Sequence, residues 1–172
     1  MKKILQGAFL LLLSGLCGLG FAQKAGSAKP SFTLTISTAK NTFASGANID
    51  LAATQTNTSN HDIYFVVGAG PGGTFGNGTW MTVKDSQGNP VAETPFGHEK
   101  HGTGPHKHPL GGSVFSGRTL ISPGKSFHYV IHLSKEYDLT RPGTYTVQAK
   151  MRDAWTPQYP WVTSNVLTIT IK

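Results

Sequence analysis

The sequence predicts an all-β domain: an antiparallel β-sandwich of seven or eight short strands, preceded by a cleaved signal peptide. Three features predict it. Apolar residues recur at every second position from about residue 31 onward, turn-forming Gly, Pro, Asn, Asp and Ser clusters interrupt these runs, and a charged apolar segment stands in front of them. The 172 residues are 38% hydrophobic and 13% charged. That charged share is about half the ~25% usual in soluble domains, and the hydrophobic share is too low for a multi-span membrane protein and too high for general disorder. The length suits one domain with its own core.

Residues 1–22 carry Lys2 and Lys3, then the apolar run 4–19, then the small-residue pattern ending at Ala22. This is the pattern of a secretory signal, and the run is shorter than the ~20 residues that span a bilayer. Lipid attachment at Cys17 would need a small residue directly before it, where Leu16 stands. Cleavage leaves no membrane span and removes the only cysteine. The exported chain, periplasmic or secreted, then has no disulfide, thiol nucleophile or thiolate ligand, which excludes blue-copper and Cys-based zinc sites. Removing two lysines lowers a formal net charge of +7 by two. The remaining basicity is scattered and not interleaved with aromatics, so no nucleic-acid partner is expected, although weak attraction to anionic envelope surfaces is.

Residues 23–30 are small and polar and read as a tether, so the domain spans 31–172. Phe32, Leu34 and Ile36 share one face of a first strand, and Ile49, Leu51 and Ala53 share one face of the next. Residues 63–67 form a solid apolar strand, followed by a Gly-rich connection over 68–78. The strand 80–85 turns at 86–90 into Val91, a hairpin pattern. After the turn 122–125, Phe127, Tyr129, Ile131 and Leu133 alternate with His128, Val130 and His132, which predicts a centrally placed strand. The strand 144–152 and the closing strand 165–171 alternate in the same way, and no helix longer than one turn is expected. Tyr145 follows the Pro142-Gly143 turn at a strand start, as in a tyrosine corner, which favours an immunoglobulin-like sandwich over a barrel.

Residues 122–127, Ile131 to Ser134, Tyr137 to Leu139 and residues 142–147 resemble the C-terminal half of immunoglobulin-like modules such as the BsuPI-type proteinase-inhibitor domain. Residues 57–59 and 83–89 fit its front half, so the resemblance covers about residues 45–152. The chain is similar also to non-catalytic sandwich domains found beside secreted metalloproteases. These motifs are turns and core positions, so the resemblance implies the fold first and a proteinase-inhibitor-like module second.

Four of seven histidines, His98, His101, His106 and His108, fall within eleven residues, a composition suited to zinc, copper or nickel. No fixed template matches. His98-Glu99-Lys100-His101 is one residue short of the helical metalloprotease motif, and the Gly and Pro content argues against a helix there. Glu93 and Glu99 read as solvated acids, and His128 and His132, about 13 Å apart along one strand face, as ordinary half-exposed residues. Residues 68–73 spell Gly-x-Gly-x-x-Gly but lack the following helix that a dinucleotide site needs. No Gly-x-Ser-x-Gly elbow occurs, and the chain does not read as an enzyme. Trp155, Tyr159 and Trp161 cluster around Pro157 and Pro160, either as a recognition surface for a protein or a carbohydrate or as a cap on the sandwich end. The leading expectation is therefore an exported, non-catalytic binding or structural domain without a cofactor. Transition-metal binding by the loop 98–108 is the alternative, and a secreted proteinase-inhibitor-like module the third reading.

Overall fold

A computed structural model describes residues 29–69, 79–101, 103 and 115–172. The signal segment, most of the tether, most of the Gly-rich connection, His106 and His108 lie outside the described residues.

The period-two segments become strands. β1 (Phe32–Ser37), β3 (Asp50–Asn57) and β7 (Ser126–His132) form a three-stranded antiparallel sheet in the order β1-β3-β7. β2 (Thr42–Phe43), β5 (Trp80–Lys84), β8 (Gly143–Arg152) and β9 (Trp161–Ile171) form a second sheet in the order β2-β9-β8-β5. Its pairs are antiparallel except β2 with β9. β4 (Ile63–Ala69) pairs antiparallel with β6 (Phe115–Ile121). The protein is thus all-β with several antiparallel sheets, and the described strands close no barrel. Among the described residues, no helix is long and apolar enough to cross a membrane.

Alternation positions the core. Phe32, Leu34 and Ile36 of β1, Leu51 and Ala53 of β3, Val147 and Ala149 of β8, and Ile169 and Ile171 of β9 are buried in one cluster. Residues between them point outward. The two larger sheets are also joined at their edges. β9 bulges opposite Ala149, where Ser164 Oγ accepts the Ala149 amide at 2.9 Å. The bulge turns Asn165 toward β1, where it accepts from Ile36 N at 2.9 Å and donates to Ile36 O at 3.0 Å. The Tyr145 hydroxyl donates to the Arg141 carbonyl at 2.7 Å, the bond of a tyrosine corner.

Four expectations are corrected. First, β7 is an edge strand, paired only with β3 among the described residues, and its inward-facing Phe127 and Tyr129 pack on Phe65 with ring centres 4.1 and 5.0 Å apart. Second, nine strands occur among the described residues rather than seven or eight, because β6 and the two-residue β2 lack a clear alternating signal. Third, the hairpin turn after β5 forms as expected but its returning arm is short: Lys84 bridges Pro90, Val91 N donates to Val83 O at 3.0 Å, and Asp85 Oδ1 holds the turn by accepting from Gln87 N and Asn89 N.

The fourth correction concerns helix. α1 (Pro95–His101) is seven residues long, and α2 (Leu133–Glu136) is a single turn after β7. Proline and glycine do not oppose α1. Pro95 occupies the first helical position, where its fixed φ and missing N–H cost nothing, and Thr94 caps the start by accepting the Gly97 amide at 3.1 Å. Gly97 lets α1 lie directly against α2: a Cβ there would stand 2.1 Å from the Glu136 carbonyl oxygen. Thr94 Oγ1 also donates to the Lys135 carbonyl, tying the cap to the same turn.

Candidate functional site

The described half of the histidine-rich segment lies on α1, where His101 faces inward and His98 is more exposed. His101 places Nδ1 2.6 Å from Glu93 Oε1 and Nε2 3.4 Å from Glu136 Oε2. The His101 side chain is 4% exposed and that of Glu136 2%. His98, which is more exposed, directs Nδ1 to Glu93 Oε2 at 3.1 Å and to Thr103 Oγ1 at 2.9 Å. Lys100 Nζ donates to Glu136 Oε1, and Thr103 Oγ1 donates to Glu93 Oε2. Trp80 of β5 stacks on the His101 ring at 5.6 Å, and the tilted ring of Tyr137, whose hydroxyl donates to Met81 O at 2.9 Å, lies 6.0 Å from it.

Glu93 is therefore not a solvated acid but the hub of two imidazoles and a hydroxyl. Two carboxylates face one ammonium and one imidazole that can each carry a positive charge, so the cluster neutralises itself. Burial alone would raise Glu136, but His101 and Lys100 outweigh it and hold the carboxyl below its ordinary value. Glu93 is lowered in the same way, burial being outweighed by Thr103 and His101. Burial alone would lower His101, but Glu136 and Glu93 outweigh it and hold the imidazole above its usual 6.5. Burial, then Glu93 and Glu136, push the Tyr137 phenol up.

These directions fix the pH dependence of stability. The raised imidazole contributes fully below about pH 6.5, and its contribution is lost as pH rises through the folded-state value. The lowered carboxyls contribute above about pH 4.5, and theirs is lost as pH falls through their folded-state values. Between these limits all three contribute. Melting temperature should therefore fall as pH is raised from about 6 to about 9, and His101→Gln should flatten that decline. A slope unchanged by the substitution would show that His101 does not carry it.

As arranged, the cluster is a network of ion pairs. Among the described residues, no three His, Cys, Asp or Glu side chains are placed to hold a metal ion, and the Lys100 ammonium sits on the Glu136 carboxylate. His128 and His132 are apart from it, each paired across the β3–β7 register, to Thr54 Oγ1 at 2.9 Å and to Asp50 Oδ1 at 2.7 Å.

The three clustered aromatics separate. Trp155 is half-buried and packs edge-on against Phe32 at 6.5 Å. Its loop is organised by the buried Asp153, which accepts from Ser31 N at 2.6 Å, Thr156 Oγ1 at 2.6 Å and Trp155 N at 3.0 Å. Tyr159 and Trp161 instead face solvent, 61% and 38% exposed. Gln158 and Tyr159 both hold left-handed backbone, φ 71° and 47°, which strains two consecutive non-glycine residues. Arg152 Nη1 donates to the Tyr159 carbonyl at 2.8 Å and so braces this turn.

Trp161 lies under two cations, Lys150 Nζ 4.8 Å and Arg152 Cζ 4.2 Å from its ring centre. Strand register extends the group. Lys150 stands opposite Trp80 on one side and Thr163 on the other, and Arg152 stands opposite Trp161. Trp80, 41% exposed, thus shares the outward face of the sheet with Trp161, two strands across and two residues along, or roughly 12 Å away. Trp80, Lys150 and Arg152 are members of this face that the sequence did not single out.

No protein-family model and no curated protein sequence matches the chain.

Proposed function

We propose that the chain is an exported, non-catalytic binding module, built as an immunoglobulin-like β-sandwich, whose recognition surface is the outward face of the β2-β9-β8-β5 sheet. The observation that carries this reading is the exposed Trp161 beneath Lys150 and Arg152, beside Tyr159 on a strained and braced turn. Strain of this kind persists where surrounding structure over-determines it, and it gathers at ligand-contacting turns. Rigid aromatics with one polar end offer contact area at little entropic cost. The tyrosine-corner bond of Tyr145 and the core shared between sheets support the immunoglobulin-like arrangement. The self-neutralising cluster under α1 supports a structural role for that end of the molecule.

The test is retention on a panel of soluble polysaccharides and immobilised secreted proteins, comparing the native chain with Trp161→Ala and Tyr159→Ala. At least one panel member should retain the native chain, and each variant should weaken retention by about tenfold, or 1.4 kcal/mol, without lowering the melting temperature. Variants that melt early would make these rings part of the core, and a panel with no retention would reject the module.

A further inference from the structure

The same face indicates the chemistry of its partner. The strands of the β2-β9-β8-β5 sheet contain no Asp or Glu, while Lys84, Lys150 and Arg152 all lie on them. Among the described residues, the carboxylates within 4.0 Å of a basic group are Asp50, Glu93 and Glu136; Asp50 pairs with His132, and Glu93 and Glu136 pair with His98, His101 and Lys100 beside Trp80, so none of them neutralises Lys150 or Arg152. The face therefore combines uncompensated positive charge with the exposed aromatic rings of Trp80, Trp161 and Tyr159. Outward hydroxyls of Thr82 and Thr163 lie in the rows beside them. By contrast, the cleft of about 360 Å³ elsewhere on the molecule sets the carboxylates of Glu93 and Asp138 against the single cation Lys135, and its charge selects no partner.

We propose that this face binds an acidic polysaccharide. The inference rests on the binding-module reading and names the class of its partner. Each component of the surface has a counterpart in such a chain. The exposed parts of the Trp80 and Trp161 rings, beyond those covered by His101 and by Lys150 and Arg152, and the Tyr159 ring pack on the apolar faces of sugar rings, the threonine hydroxyls meet sugar hydroxyls, and Lys150 and Arg152 meet carboxylate or sulfate groups along the polymer. A sheet face presents these groups in an open plane, which suits an extended polymer that a closed pocket would exclude. Binding to a polyanion releases counterions, so the affinity should fall as salt is raised.

The experiment measures affinity of the native chain for alginate, for neutral dextran and for single-stranded DNA, each at low and high salt, together with Lys150→Gln and the double variant Lys150→Gln/Arg152→Gln. Alginate should bind most tightly and weaken with salt, and the double variant should lose about tenfold, equivalent to 1.4 kcal/mol, with an unchanged melting temperature. The single Lys150→Gln variant keeps the test decisive if loss of the Arg152 brace loosens the turn at Tyr159. It should still lower alginate affinity, and an unchanged value would count against the charge contact. Dextran bound as tightly as alginate, indifferent to both variants, would overturn the acidic partner and leave the binding module standing. Tighter binding to DNA than to alginate would overturn the polysaccharide as the polymer class. Retention of none of the three here, and of no member of the wider panel, would reject both.

Discussion

Replacing Gly97 with alanine should destabilise the protein by about 3 kcal/mol or more, the upper range for overpacking a close contact. The added carbon would lie 2.1 Å from the Glu136 carbonyl oxygen and 3.0 Å from its carbonyl carbon. Both obstructing atoms are backbone, so no rotamer change relieves the overlap. Either α1 lifts from α2 or Glu136 leaves the cluster, and each route separates Lys100 and His101 from their carboxylate. Gly117→Ala is the control, since nothing lies within 4 Å of a Cβ at that position. It should leave stability unchanged or raise it by up to about 1 kcal/mol, because glycine inside a strand is less favourable than alanine. Urea denaturation of both variants is the measurement, and equal stabilities would mean that α1 does not pack as described.

Removing the Glu136 charge should cost about as much by another route. In Glu136→Gln the shape is kept, but the Lys100 ammonium, 8% exposed, loses its counter-charge, and the raised His101 loses one of the two carboxylates that hold its proton. Breaking a buried ion pair by removing one partner typically costs about 3–5 kcal/mol, because the surviving charge stays desolvated. Substituting Lys100→Met in the same chain should recover a large part of the loss, since the uncompensated ammonium is then gone. A double variant no more stable than Glu136→Gln alone would show that the charge pair is not the source of the effect.

Much of the sheet architecture was legible because burial on one face imposes period two. Phe32, Leu34 and Ile36, and likewise Tyr145, Val147, Ala149 and Met151, alternate strictly and all lie in the core. β6 was not legible, because Ser116, Gly117, Arg118 and Thr119 interrupt its apolar residues and the strand is defined by its pairing with β4. The helix α1 is hidden for a more instructive reason. Proline and glycine break helix interiors, but Thr94-Pro95 is a cap followed by a first-turn proline. What makes Gly97 necessary is the backbone of Glu136, a contact between distant segments that no local pattern encodes.

The candidate site shows the same division. Trp161 and Tyr159 stood out as aromatics among prolines, whereas Trp80, Lys150 and Arg152 looked like ordinary outward positions of alternating strands. Only the register that sets Trp80 opposite Lys150, and Arg152 opposite Trp161, gathers them on one face. Likewise, Lys100 and Glu136 are charges on two separate elements until α1 packs on α2.

The chain has three tryptophans, Trp80, Trp155 and Trp161, so its indole N–H groups offer three resonances that report on the proposed surface separately. Titrating the isotopically labelled protein with alginate oligomers should shift the Trp80 and Trp161 indole signals together and leave that of Trp155, packed on Phe32, in place. Shifts confined to Trp155, or three unmoved signals with the polymer in excess, would contradict recognition by the outward face of the sheet.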